Sequence, residues 1–295
     1  KDADWVIEAV VERIDIKHKL YSQIDKVRSP DSIISSNTST IPLSILTQEM
    51  SDTMKADFCI THFFNPVRFM RLLEIVETPT MNKDKMSGLR DFCQNELGKG
   101  IVNCNDTPGF IGNRIGVYAM QVAMYEALER GLPVEIADAL FGRPLGIPKT
   151  GVFGLYDLIG IDLMKDVLAS FKKELQENDP FMDVVAPHPL VEKLLEKGFN
   201  GNKGPGGFYQ TTIVDDDEIV KAINTSDMSY YDFDKVDLEI ARRVEKEGIK
   251  ALLDDDSEYG RYAFAVLAKI INYSAFCIPE VSSNVTDIDD ALRMG

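Results

Sequence analysis

Five short apolar runs dominate the first third of the chain, and they restrict what it can fold into. They are WVIEAVV (5–11), SIIS (32–35), DFCITHFF (57–64), MRLLEIVET (70–78) and GIVNCN (100–105). Each is short, rich in β-branched or aromatic residues and bounded by turn or helix signals, so each reads as a buried strand. Between the first two, Ile16, Leu20, Ile24 and Val27 place an apolar stripe on a helix over 14–28, which Ser29-Pro30-Asp31 ends. A short helix is expected from Pro42 to Met50 and a longer one over 82–97. Strands alternating with helices predict a parallel sheet of the doubly wound type. Ligands of such sheets sit outside the carboxyl ends of the strands. The SNTS stretch (36–39) and His62 both lie at predicted strand ends, so one crevice can take both.

After Asp106 the texture becomes helical. TPGFIGNRIGVYAMQVAMYEALERG has Pro108 near a helix start, Gly131 past its end and apolar residues nearly all round. VEIADALFG and IDLMKDVLASFKKELQEN read as further helices, and a Gly-rich loop, GFNGNKGPGGFYQ (198–210), closes the segment. From 211 the chain is acidic and then helical again, over 235–255 and 262–276. VEIADALFG (134–142) and VTDIDDALRMG (285–295) share I-x-D-A-L, each after a long apolar helix with an Arg near its start. This predicts a partial internal repeat. The expected domains are 1–105 (α/β), 106–210 (all-α) and 211–295 (a truncated second helical copy).

Composition excludes some partners. Acidic residues outnumber basic ones, 48 to 32, for a formal net charge of −16. That disfavours nucleic acid and anionic membranes. A local basic cluster can still receive a small anion, because salt screens distant charges beyond about 8 Å. No apolar run reaches the roughly 20 residues of a membrane span. Cys59, Cys93, Cys104 and Cys277 form no C-x-x-C pair and no zinc-like spacing. No metal site is expected, and reduced thiols suit a reducing compartment such as the cytoplasm. The opening KDADWVIEAVVE has the texture of the middle of a domain.

Among chemical candidates, His62 is either a core histidine or a base near a strand tip, since Asn65-Pro66 ends the strand just after it. Glu74 is the lone acid in the run from Phe69 to Val76, and a buried carboxylate needs a partner. His62 is one candidate; Arg68 and Arg71 are the others. A carboxylate at one imidazole nitrogen fixes the tautomer and leaves the other nitrogen to take a proton. Ser39 or Thr40 can cap the helix that starts near Pro42, or the SNTS hydroxyls and amide can meet a ligand. Asn113 is a local cap or a ligand contact. Glu12 can reach a ribose hydroxyl or face water. Lys203 can meet a phosphate or only water. His18 and His188 read as structural or exposed.

Assembled, these residues resemble the L-3-hydroxyacyl-CoA dehydrogenase family. The matching stretches are WVIEAVVE, SSNTST, THFFNPVRFMRLLEIVETP, DTPGFIGNRI and NKGPGGFY, in the family's order from residue 1 to about 210. The resemblance implies hydride transfer between NAD and C3 of an acyl-CoA in fatty-acid β-oxidation. It implies His62 as base, Glu74 as its orienting partner, and Ser39 and Asn113 as substrate contacts. It implies Glu12, Lys17, Asn65 and Lys203 as contacts to NAD or the CoA side of the cleft. The implied fold is a Rossmann-type domain followed by an all-helical one, with the active site between them and homodimerisation through the helices. One departure stands out: no G-x-G-x-x-G lies at a strand-to-helix turn, so the Rossmann-type domain is expected to lack its first strands and its pyrophosphate cradle. Tandem helical copies are typical of multifunctional β-oxidation proteins that also carry an enoyl-CoA hydratase unit. The rival readings are a dehydrogenase for another 3-hydroxy substrate, such as 3-hydroxybutyryl-CoA or a sugar acid, and an inactive binding or assembly segment.

Overall fold

The structure, a computed structural model, describes residues 2–142, 150–214, 217–234 and 236–295. The chain forms two units, Lys1–Gly116 with Ser274–Gly295, and Val117–Tyr273.

All five expected strands are present in the first unit, four of them shorter than the apolar run that encodes them and the second of equal length, shifted by one residue. They are β1 (Trp5–Glu8), β2 (Ile33–Ser36), β3 (Phe58–Phe63), β4 (Leu72–Glu77) and β5 (Gly100–Asn103), in that spatial order. β1–β2, β2–β3 and β4–β5 are parallel pairs, whereas β3 and β4 are antiparallel. The expectation of a parallel sheet therefore fails at one ladder. The link over 64–71 is too short for a helical crossover, which needs about a dozen residues or more. This antiparallel pair sets His62 directly opposite Glu74. Helices α1 (Ile14–Asp25) and α4 (Lys83–Asn95) accompany the sheet, with the short α2 (Leu43–Leu46) and α3 (Asp52–Lys55) between β2 and β3. Met86, Leu89 and Cys93 of α4 are spaced for one helix face and pack with Ile33, Cys59, Leu73 and Ile75. Burial of each large apolar side chain there contributes roughly 1.5–3 kcal/mol.

The cap expected of Ser39 or Thr40 is absent. Pro42 precedes α2 and gives it no side-chain cap. The Asp106 carboxylate supplies it instead, accepting from the amides of Leu43 at 2.6 Å and Ser44 at 3.0 Å. Thr38 Oγ1 accepts from Ile41 N at 3.0 Å, so the local hydroxyl shapes the turn and not the helix end.

The C-terminal segment belongs to this unit. Helix α13 (Val285–Met294) packs against β5 and β4. Asp287 Oδ1 accepts from Asn103 N at 3.2 Å, and Asn105 donates its side-chain amide to the carbonyls of Pro279 and Glu280. The outer edge of β5 is thus covered by chain from the far end of the sequence.

In the second unit, α5 (Gly112–Glu129, from Val117 onward) is followed by α6 (Val134–Leu140), α7 (Gly151–Ile159), α8 (Ile161–Glu174) and α9 (Pro189–Glu196). Three antiparallel strands follow where no strand was expected: β6 (Tyr209–Val214), β7 (Asp217–Ile223) and β8 (Tyr230–Asp232). The acidic composition of 215–218 masked them, because carboxylates are poor strand formers. Helices α10 (Glu239–Glu247), α11 (Lys250–Leu253) and α12 (Glu258–Phe276, as far as Tyr273) come next. Lys235, the first residue of the helix expected over 235–255, lies outside the described residues. The long-helix, short-helix order of α5–α6 recurs in α12–α13. Its two aspartates differ in use: Asp138 caps α7 through Phe153 N and Gly154 N, whereas Asp290 pairs with Arg293.

All four cysteines are buried and free. No described helix is long and apolar enough to cross a membrane, and no described cluster of His, Cys, Asp and Glu can hold a metal ion.

Candidate active site

The parallel register of β1, β2 and β3 brings their carboxyl ends to one edge of the sheet. Glu12, the SNTST segment, His62 and Asn65 all lie at or just past these ends. The antiparallel ladder then brings Glu74 across from His62. His62 Nδ1 and Glu74 Oε2 are 2.6 Å apart, and Glu74 is fully buried. An ionised carboxylate can only accept, so Nδ1 carries the hydrogen and Nε2 holds the lone pair of a neutral ring. No hydrogen bond to Nε2 is found among the described residues. Neither Arg68 nor Arg71 pairs with Glu74, which settles which partner the lone acid takes.

Glu74 is held on its other side by a helix start. Its Oε1 accepts from Ile111 N at 2.9 Å and Gly112 N at 2.6 Å, at the beginning of α5. The positive end of the helix stabilises the negative carboxylate there. The buried Cys104 thiol also bonds to Glu74; burial and the Glu74 charge together push that thiol well above its ordinary range. A rigid, fully bonded carboxylate is what an orienting partner requires.

The DTPGFIGN turn makes this geometry possible. Gly109 and Phe110 both have positive φ, +73° and +51°. The left-handed conformation costs Phe110 roughly 1–2 kcal/mol. Burial of its ring, 2% exposed and 5.7 Å from the imidazole, returns roughly 1.5–3 kcal/mol. Phe64 meets the imidazole edge-on at 4.6 Å. A Cβ on Gly112 would lie 2.6 Å from the Phe64 ring and 3.4 Å from Glu74 Oε1. The clash is with the Phe64 ring, so glycine lets the helix start lie against that ring beside the carboxylate.

The remaining candidates occupy distinct settings. Ser39 is half-buried, and its amide donates to Glu12 Oε1 at 3.0 Å. Glu12 also accepts from the Thr38 hydroxyl at 2.8 Å, so the first strand end and the SNTST loop are tied together. Asn37, the amide of the SNTS stretch, accepts from Phe63 N at 3.0 Å and ties that loop to the strand bearing His62. Asn113 is half-buried in the first turn of α5, next to Gly112. Asn65 is exposed at the β3 tip. Lys17 is buried, with its ammonium 2.7 Å from Glu8 Oε1 and 3.1 Å from Glu12 Oε2. Burial alone would raise the Glu8 carboxyl, but Lys17, Tyr21 and Ser36 outweigh it and hold Glu8 below the ordinary range. Lys17 thus sets the position of Glu12 rather than presenting a free charge. Lys203 belongs to the second unit, where it donates to the Ile159 carbonyl at 2.7 Å. His18 bonds to the Ile45 carbonyl, and His188 caps α9.

Comparison with known proteins gives a consistent pattern. The model of the 3-hydroxyacyl-CoA dehydrogenase NAD binding domain matches residues 1–107, and that of the 3-hydroxyacyl-CoA dehydrogenase C-terminal domain matches residues 109–211. A Rickettsia felis protein described as a fatty acid oxidation complex trifunctional enzyme is 39% identical over 100% of this chain, which spans 40% of that protein. A Bacillus subtilis protein described as a 3-hydroxyacyl-CoA dehydrogenase is 33% identical over 100% of the chain, which spans 37% of it. The crystal structure of (S)-3-hydroxybutyryl-CoA dehydrogenase from Ralstonia eutropha aligns with a TM-score of 0.59 at 31% identity, covering 70% of each chain. The chain therefore spans about two fifths of the two curated relatives.

Proposed function

Because the chain belongs to the 3-hydroxyacyl-CoA dehydrogenase family, we propose that it takes part in the NAD-dependent oxidation of L-3-hydroxyacyl-CoA to 3-oxoacyl-CoA. The observation that carries this reading is the His62–Glu74 pair at a carboxyl strand edge, with Nε2 left open. His62 Nε2 takes the proton of the 3-hydroxyl as the C3 hydride departs, and the C–O single bond becomes a carbonyl. Bound NAD supplies the hydride acceptor. The charge that forms on the imidazolium is balanced by Glu74, whose second oxygen stays fixed on Ile111 N and Gly112 N. Ser39 and Asn113 hydrogen-bond the substrate near the reacting oxygens.

Residues present suit only part of the cofactor. Exposed Glu12, tied to Thr38 and Ser39, suits a ribose hydroxyl, and Asn65 an amide or hydroxyl nearby. Nothing in the sequence supplies a G-x-G-x-x-G cradle. β1 is the outermost strand of its sheet, and Ile7 (44% exposed) and Val10 (37%) leave apolar surface there. This supports a reading in which further Rossmann strands complete the sheet beside β1, in a multifunctional polypeptide that also carries an enoyl-CoA hydratase unit. A cytoplasmic location, suited to the free thiols, and a homodimer belong to the same reading.

The test mixes the chain with NADH and acetoacetyl-CoA and follows absorbance at 340 nm, alone and in an N-terminally extended form. Turnover that His62→Ala lowers by about 100-fold or more supports the proposal. Full activity in His62→Ala of an active form would sink it. No turnover in either form favours the binding or assembly reading.

A further inference from the structure

The link between β3 and β4, NPVRFMR over 65–71, has a composition that the proposed chemistry leaves unused. Arg68 and Arg71 are exposed. Every other described arginine is held by a carboxylate or a backbone carbonyl. Arg68 and Arg71 have neither partner among the described residues, in a chain of net charge −16. Between them Phe69 is 76% exposed, the apolar ring set out in solvent beside Val67 at 45%. A large exposed aromatic flanked by two uncommitted cations is a recognition surface, not a packing surface.

The link is braced. Phe69 N and Met70 N both donate to the Pro66 carbonyl, at 2.9 and 3.0 Å. The Lys99 ammonium, 9% exposed at the residue level, donates to the carbonyls of Val67 and Met70 from below. Arg71 is tied by its carbonyl to Gly100 N at 2.8 Å. The tip is therefore presented by a fixed backbone, which lowers the ordering cost of binding. It also begins at the strand end that bears His62. Six residues of chain limit the distance from His62 to Arg68 to about 20 Å, a gap that an extended pantetheine arm or a dinucleotide can cross.

We propose that Arg68, Phe69 and Arg71 form an anion-binding arm for the nucleotide-phosphate end of a ligand whose reacting end lies at His62. The guanidinium groups receive phosphate oxygens in forked hydrogen bonds, and the Phe69 ring stacks on the base. This rests on the reading of His62 as the reacting site. Both acyl-CoA and NAD carry such phosphates, and the experiment separates them.

The first measurement needs no turnover. Coenzyme A and NADH are each titrated calorimetrically into the wild-type chain, into Arg68→Ala/Arg71→Ala and into Phe69→Ala. The double variant weakens one of the two ligands by about tenfold, and Phe69→Ala weakens the same ligand by about threefold. Loss for coenzyme A alone assigns the arm to the substrate carrier; loss for NADH alone assigns it to the dinucleotide. The second measurement is steady-state, with acetoacetyl-CoA against acetoacetyl-pantetheine, which lacks the nucleotide. An arm for the carrier raises KM about tenfold for the CoA thioester only, with kcat within about twofold. An arm for the dinucleotide raises KM for NADH and leaves both thioesters alike. Unchanged binding of both ligands overturns the proposal. So does binding of the wild type, but not the double variant, to phosphatidylserine vesicles with no effect on either nucleotide. An enzyme without turnover in which the double variant still loses coenzyme A or NADH would defeat the proposed reaction and leave the arm standing.

Discussion

The two units each bury a carboxylate against two backbone amides, and they put it to different ends. In the first, Glu74 accepts from Ile111 N and Gly112 N and turns its other oxygen to the His62 ring. In the second, Asp157 accepts from Phe208 N at 2.9 Å and Tyr209 N at 2.7 Å, with both oxygens spent on the main chain. Asp138 does the same for Phe153 N and Gly154 N, and adds the Tyr209 hydroxyl at 2.9 Å. The aspartates act as staples: they satisfy buried donors and hold the Gly-rich loop and β6 to α7. Glu74 is a staple whose other oxygen meets the His62 ring. The difference lies in what faces the second oxygen, an imidazole at a strand edge or more backbone.

This contrast breaks most visibly at Glu74. Glu74→Gln keeps an oxygen for Ile111 N and Gly112 N but offers an amide hydrogen to His62 Nδ1. The ring then carries its hydrogen on Nε2, the wrong tautomer for a base, and kcat falls by about 100-fold or more in stopped-flow single turnovers. Its thermal midpoint stays within a few degrees of wild type. Asp157→Ala gives the opposite profile. Two buried amides lose their acceptor, at about 1–3 kcal/mol each, so the urea midpoint drops while turnover per folded molecule is kept. If Asp157→Ala instead abolishes turnover at full stability, the staple reading is wrong.

A pH series sharpens the comparison further. Burial outweighs the amide bonds and pushes both Asp138 and Asp157 up to about 7. The folded state then binds these protons more tightly than the unfolded state, whose carboxyls titrate near 4. Their contribution to stability is complete below about pH 4 and is lost as the pH rises through 7. Differential scanning calorimetry should show the second unit melting lower at pH 8 than at pH 5, with a shallower slope in Asp157→Asn. A slope unchanged by that substitution would remove Asp157 as its source. The smallest effect is expected from Cys104→Ala, which removes one weak donor from Glu74. It should lower kcat by about threefold and shift the pH–rate profile, without changing KM; a changed KM with an unmoved profile would mean the thiol only packs.

Much of this site was legible in the sequence. The lone glutamate among apolar residues demanded a partner, and a histidine near a strand tip was the natural one. Gly112 and Phe110 sat inside a recognisable turn motif, yet their duty, close approach to the Phe64 ring and a left-handed backbone, has no local signature. Asp106 marked only the change of texture in the sequence. Its bonds to Leu43 N and Ser44 N span more than sixty residues, and no periodicity reports such a distance. The burial of Lys17 has no local signature, because its partner, Glu8, is hidden in an apolar strand.

What the sequence determined alone was local: five strands from five apolar runs, helices from their stripes, and the residue types of the His62–Glu74 pair. Those follow from backbone period and burial, which neighbours along the chain decide. Tertiary structure decided the rest. It chose an antiparallel ladder between β3 and β4, and so the His62–Glu74 register. It brought the start of α5 to Glu74, folded residues 274–295 back onto the sheet, and built β6–β8 in an acidic stretch. The physical reason is the same each time. A buried charge or an open strand edge must be satisfied by whichever donor folding brings near, and that donor is usually far away in sequence.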